Sequence, residues 1–225
     1  MSNKKIKVAF FDPYGRLSGY FNENEVYIES VRRIGELISK ENTATTINQL
    51  MLVEAQARQI YYQMFYKIIK EKDFRFSGRT KRPPKDAINA CISFGNTLLY
   101  NEFLNIIWTK GLDPAIGMVH STNRRNYSLN LDFADIFKPV ITDRVIFSLL
   151  NRKMLGTEHF EQQGEGIFLS KTGKVIFLEM YERKLKEALV LKGKRYTYRN
   201  LMQLEVQNFK NEILNGEKYK PYKYY

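Results

Sequence analysis

Hydrophobic residues come in two short strand-like runs at the start of the chain and at helical spacing almost everywhere after. Residues 6–21 read Ile-Lys-Val-Ala-Phe-Phe-Asp-Pro-Tyr-Gly-Arg-Leu-Ser-Gly-Tyr-Phe. The Asp12-Pro13-Tyr14-Gly15 turn between the runs predicts a β-hairpin. A lone hairpin is marginal in water, so this one needs a partner chain or a further β-domain to pack on. From residue 25 onward the pattern predicts helices at 26–40 and 45–70. Pro83 and Pro84 then suit the start of a helix over 85–110, which Gly111 caps. Asp113-Pro114 opens a short helical turn ending near His120. Another helix begins near Ser128 and is kinked or broken at Pro139. Residues 165–177 read as a second hairpin around Lys171-Thr172-Gly173. Helices follow at 178–191 and 197–214, and the lysine- and tyrosine-rich tail, 218–225, reads as flexible. The fold class is mainly α with two short hairpins.

The helix predicted over 45–70 carries one misplaced charge. At about 100° per residue, Asn48, Gln49, Gln56, Gln59, Gln63 and Lys67 gather on one arc. Ile47, Leu50, Met51, Ala57, Tyr61, Phe65 and Ile68 gather on the other, with Glu54 in its middle and Arg58 one turn later. A carboxylate facing an interior costs several kcal/mol, by order of magnitude, unless it is paired or holds a metal. Two readings stand side by side: an i,i+4 ion pair with Arg58, or a functional carboxylate.

Charge narrows the partner. Among 225 residues the formal net charge is +12, which points to a polyanion, nucleic acid before an anionic membrane surface. No apolar run is long enough to span a bilayer. The connector over 71–85 concentrates Lys72, Arg75, Arg79, Lys81, Arg82 and Lys85 against Glu71 and Asp73. The single cysteine, Cys91, leaves no internal disulfide and fits a reducing cytoplasm. It lies in an apolar helical stretch and reads as a packing residue.

Candidate chemistry is sparse. Of the two histidines, His159 reads as a surface or structural residue, whereas His120 ends a short helix before the polar loop of Arg124, Arg125 and Asn126. Asp132 and Asp135 stand at i,i+3 on one predicted helix and share a face. Glu54, His120 and one of these aspartates form a donor set that suits Mg²⁺ or Mn²⁺. Zinc is disfavoured, because there is no cysteine cluster or close histidine pair. Spacing alone leaves open a capping histidine and helix-surface acids.

Four ordered blocks resemble the CRISPR-associated protein one family, the integrases of spacer acquisition. They are Phe76-Ser-Gly-Arg-Thr-Lys-Arg-Pro-Pro-Lys-Asp-Ala-Ile-Asn-Ala-Cys-Ile-Ser-Phe-Gly-Asn-Thr-Leu-Leu-Tyr100, Gly111-Leu-Asp-Pro-Ala-Ile-Gly-Met-Val-His120, Ser128-Leu-Asn-Leu-Asp-Phe-Ala-Asp-Ile-Phe-Lys-Pro139, and Phe160-Glu-Gln-Gln-Gly-Glu-Gly-Ile-Phe-Leu-Ser170 with Tyr181-Glu-Arg-Lys-Leu185. The resemblance implies that Glu54, His120 and Asp135 hold a divalent metal, with Asp132 as an accessory acid. It implies Arg82 and Asn89 near the site. Arg58, Arg79, Lys81, Arg124 and Arg125 complete the positions expected to meet DNA.

The implied activity is that of a metal-dependent DNA endonuclease and integrase. A DNA 3′-hydroxyl would be the attacking group, so no protein nucleophile is needed, and no Ser-His-Asp or Cys-His arrangement stands out. The implied partners are double-stranded, branched DNA, a second copy of the chain and a second CRISPR adaptation protein, in a prokaryotic cytoplasm. Family members usually begin with a longer β-domain. Residues 1–24 then read as its last hairpin, 25–215 as a helical catalytic domain and 216–225 as a flexible tail. Two alternatives follow: an inert DNA-binding or assembly module of the same family, and a transposon-borne relative that integrates mobile DNA.

Overall fold

A computed structural model describes residues 7–11, 17–22, 30, 32–37, 39, 46–119, 126–191 and 193–222. The chain divides into two compact units. One runs to Ile68 and includes Ser77–Arg79. The other comprises Ile69–Phe76 and Thr80–Tyr222.

The first unit begins with the expected hairpin. β1 (Lys7–Phe11) pairs antiparallel with β2 (Leu17–Asn22), and the register shifts between Phe10 and Phe11. Residues 32–37 form α1. α2 (Ile47–Gln63) starts at Thr46, whose hydroxyl accepts from the Gln49 N–H while the Gln49 side chain accepts from the Thr46 N–H. This reciprocal cap satisfies two otherwise orphaned amide groups. A turn at Met64 separates α2 from α3 (Phe65–Ile68), so the single helix expected over 45–70 is interrupted. Ile34 and Leu37 of α1 pack on Ile60 and Met64, with Val53, Ala57, Tyr61 and Ile68 beside them. Leu52 and Met51 are exposed. The packed arc therefore runs through residues 53, 57, 60, 61, 64 and 68, and Glu54 lies at its edge rather than in its middle. Two apolar side chains of α1 select that arc.

The second unit is built around α4 (Ala87–Thr109). Asp86 caps it by accepting from the Asn89 N–H at 2.7 Å. α4 packs against α5 (Leu129–Phe137), α6 (Thr142–Asn151) and α8 (Tyr198–Asn215). The break at Pro139 occurs as expected, with residues 138–141 in turns between α5 and α6. Arg199 of α8 donates to Glu102 of α4 at 2.8 Å and to Glu182 of α7 (Lys171–Lys186) at 2.9 Å. Lys210 donates to the Lys110 carbonyl at 2.7 Å, closing the C-terminal end of α4.

Several expected elements fall elsewhere. The second hairpin is β3 (Phe160–Gln163) with β4 (Gly166–Leu169), not 165–177. Lys171-Thr172-Gly173 is instead the first turn of α7, because Ser170 caps it by accepting from the Gly173 N–H at 3.2 Å. Gly173 is there for space: a Cβ would run into the His159 carbonyl oxygen. A third hairpin, β5 (Ala188–Leu191) with β6 (Lys194–Thr197), replaces the expected end of the 178–191 helix. Glu187 leaves the helix with ψ 129°, and a short apolar run fits strand as well as helix. Residues 111–119 contain no helix.

The tail corrects another expectation. Up to Tyr222 it is docked, not loose. Glu205, buried on α8, accepts from the Tyr219 hydroxyl and from the Tyr222 N–H at 3.0 Å. The Tyr222 ring stacks on Phe137 of α5 at 6.0 Å. Burial, reinforced by Tyr198 and Glu205, pushes the Tyr222 phenol up to about 12.

Two consequences are measurable. A Cβ on Gly95 of α4 would stand 2.6 Å from Thr142 Cγ2 and 2.9 Å from the Phe177 ring, both fully buried. Gly95→Ala is expected to lower the thermal midpoint by roughly 3–6 °C, overpacking by about 1–2 kcal/mol outweighing the gain in helix propensity. The second concerns pH. A phenol whose folded pKa is raised stabilises the fold fully below its ordinary value, about 10, and loses that contribution as pH rises through about 12. The stability difference between wild type and Tyr222→Phe should therefore change between those two values and stay flat below them.

Candidate metal and DNA site

All nine residues of α5 are buried, including both of its aspartates. A helix covered on every side belongs to a core, and carboxylates there must be compensated. Asp132 is fully buried. Its Oδ2 accepts from the Met118 N–H at 2.6 Å and the Val119 N–H at 3.3 Å. The Ser128 and Leu129 N–H groups both donate to the Pro114 carbonyl, at 2.9 and 3.0 Å. Asp113 accepts from the Ala115 N–H at 2.9 Å, a local turn that competes with helix. Segment 111–119 is thus laced to the start of α5, and the helical turn expected there is replaced by these bonds. Asp132 secures the two residues that lead into His120.

Asp135, one turn further, pairs with Lys138. The Lys138 ammonium also lies 4.7 Å from the centre of the Tyr100 ring on α4. In the other unit Glu54 pairs with Arg58 across one turn of α2, and its side chain is only 12% exposed. The ion-pair reading of Glu54 is therefore realised in the structure.

His120, Arg124 and Arg125 lie outside the described residues. Among the described residues, no three His, Cys, Asp or Glu side chains come together as a metal group. Cys91 is fully buried, and burial pushes its thiol well up, which disfavours the reactive thiolate. His159 Nδ1 accepts from the Gly156 N–H at 2.9 Å, a local structural role. No helix among the described residues is long and apolar enough to cross a membrane.

The expected DNA contacts separate into two kinds. Lys81 and Arg82 are exposed and Arg79 is half-buried. Asn89 is fully buried, so it is not open to DNA. Its Oδ1 accepts from the Thr80 N–H at 2.9 Å and its Nδ2 donates to Asp86 at 2.6 Å. Asn89 therefore ties the basic connector to the start of α4. Two residues near the aspartates were not singled out from the sequence: Lys138 and Tyr100. The i,i+3 spacing of Asp135 and Lys138 was the available signal.

Asp132→Asn tests the lacing of segment 111–119. It removes the charge behind two amide hydrogen bonds, and bonds to charged groups are worth about 1.5–3 kcal/mol. Hydrogen exchange at the Met118 and Val119 amides should accelerate by about 10-fold or more.

Comparison with known proteins places these features. Residues 22–183 match the model of the family described as CRISPR associated protein Cas1. A CRISPR-associated endonuclease Cas1 of Thermodesulfovibrio yellowstonii is 40% identical over 205 residues, covering 90% of this chain. The chain spans 62% of that relative's length. The structure of a Cas1 protein from Thermotoga maritima superposes with a TM-score of 0.78 at 34% identity, over 86% of this chain and 60% of that one. A casposase bound to integration product shares the fold, with a TM-score of 0.75 at 24% identity over 83% of this chain and 53% of that one. The chain belongs to the CRISPR associated protein Cas1 family.

Proposed function

We propose that this chain carries the metal-dependent site of a DNA endonuclease and integrase of CRISPR spacer acquisition. One observation carries the reading. Two carboxylates at positions named by the resemblance, Glu54 and Asp135, are each withdrawn from solvent and held by a cation one turn away. Carboxylates so withdrawn, at positions that the family resemblance matches to metal ligands, support that role beside the local ion pairs they form. Two carboxylates and the imidazole of His120 are a donor set suited to Mg²⁺ or Mn²⁺, and these three residues would hold the ion. When bound, the ion would activate an attacking hydroxyl and neutralise charge on the scissile phosphate.

The chain's own residues supply position and charge. Asp132 holds the amides of Met118 and Val119, the two residues that precede His120 in sequence. Lys81 and Arg82, exposed on the connector, suit phosphate contacts that place DNA without reading its bases. The net charge of +12 favours such a polyanion. The casposase that shares the fold is bound to an integration product, which supports strand transfer as the reaction. The same reading gives the chain branched DNA, a second copy of itself and a second adaptation protein as partners.

A strand-transfer assay tests it. Branched DNA is incubated with Mn²⁺ or Mg²⁺ and wild type, Glu54→Ala or His120→Ala protein. Metal-dependent products are expected in wild type and should fall by about 100-fold or more in both variants. Products that persist in both variants would remove the site assignment. DNA binding without products, from folded wild type, would identify a DNA-binding or assembly module instead.

A further inference from the structure

Lys138 is an unusual lysine. It closes the C-terminal end of α5, donating its backbone N–H to the Ala134 carbonyl. Lysine side chains at such positions normally extend into water. This one folds back: its side chain is 11% exposed and that of its partner Asp135 is 4% exposed. The Tyr100 ring, 4.7 Å away on α4, faces the ammonium from the other element packed here. The lysine is thus held by both helices, with its charge directed at the Asp135 carboxylate. Arg58 treats Glu54 in the same way, with side-chain exposures of 30% and 12%.

We propose that Lys138 is a built-in counter-ion of Asp135, competing with a divalent metal ion for the same carboxylate. The proposal rests on the reading of Asp135 as a metal ligand. Its logic is linkage. In the metal-free protein the ammonium compensates a carboxylate that would otherwise be buried and unpaired. A metal ion that takes the carboxylate must displace that pairing, so the strength of the pair subtracts from metal affinity. Weakening the competitor therefore tightens metal binding while destabilising the metal-free fold. Strengthening it does the reverse, and arginine, with its forked donors, is the stronger partner for a carboxylate. A lysine that merely packs would show only the loss of stability.

The test is calorimetric titration of the full chain with MnCl₂, paired with thermal melting in EDTA and in Mn²⁺. Lys138→Met is expected to bind Mn²⁺ about 10-fold more tightly than wild type, to melt lower in EDTA, and to gain more from Mn²⁺. Lys138→Arg is expected to keep the EDTA midpoint and bind Mn²⁺ several-fold more weakly. Equal or weaker binding by a folded Lys138→Met overturns the proposal. If that variant does not fold, Lys138→Arg decides: unchanged or tighter binding overturns it. Asp135→Asn separates the two readings. Unaltered Mn²⁺ binding in Asp135→Asn removes the ligand assignment and the proposal with it. Lost binding in Asp135→Asn, with no change in either Lys138 variant, removes only the competition.

Discussion

The second unit is organised by the need to bury α5 with two carboxylates on it. Every residue of this nine-residue helix is buried, Asp132 completely and Asp135 almost so. An uncompensated carboxylate in such a place costs several kcal/mol, by order of magnitude, a large part of a domain's net stability. The two are compensated differently. Asp132 takes backbone amides from segment 111–119, and so a loop is fixed. Asp135 takes a side-chain cation, and so the turn into α6 is fixed at Lys138. Loop and turn both follow from charge placed in an interior.

Aromatic packing provides the cover. Phe103 of α4 stacks on Phe133 of α5 at 5.8 Å and tilts against Phe137 at 5.3 Å. Phe209 of α8 meets Phe133 edge-on at 5.5 Å and in turn meets Tyr219. Tyr222 completes the wall over Phe137. The tail belongs to the enclosure of α5 because a buried acid, Glu205, anchors Tyr219 and Tyr222. A segment that looks loose by composition is ordered by one carboxylate that its own sequence does not contain.

That dependence shows what was legible in the sequence. The hairpin, α4 and the break at Pro139 were readable because their signals are local: a turn tetrapeptide, an apolar run closed by a glycine, a proline inside an apolar stretch. Pro83 and Pro84 stand before the Asp86 cap of α4 and not in its first turn. Segment 111–119, Gly173 and the tail were not. Their structure is decided by Asp132, by the His159 carbonyl and by Glu205, each distant in sequence or silent in a periodicity count. The stripe of α2 was found but rotated, since the contacts with Ile34 and Leu37 choose among overlapping arcs. At the candidate site, the acids were legible as polar residues among apolar ones. Of their counter-charges, Arg58 was legible as the i,i+4 partner of Glu54, whereas Lys138 was not singled out. Asn89 looked like a DNA contact and is a hub, which burial alone reveals.

The two candidate carboxylates share one physical solution in two separate units. Glu54 and Asp135 are each neutralised by a cation on or beside their own helix, Arg58 at i+4 and Lys138 at i+3. Each of these two carboxylates therefore has a counter-charge within one turn of its own stretch of chain. Such an arrangement lets the fold form before any metal arrives. On the proposed reading it also sets a threshold, since an incoming ion would have to outcompete a pair that forms within one turn of chain. Metal affinity and metal-free stability are then two readings of the same interaction, opposite in sign. A chain with its acids left unpaired would bind metal more tightly and fold less well without it.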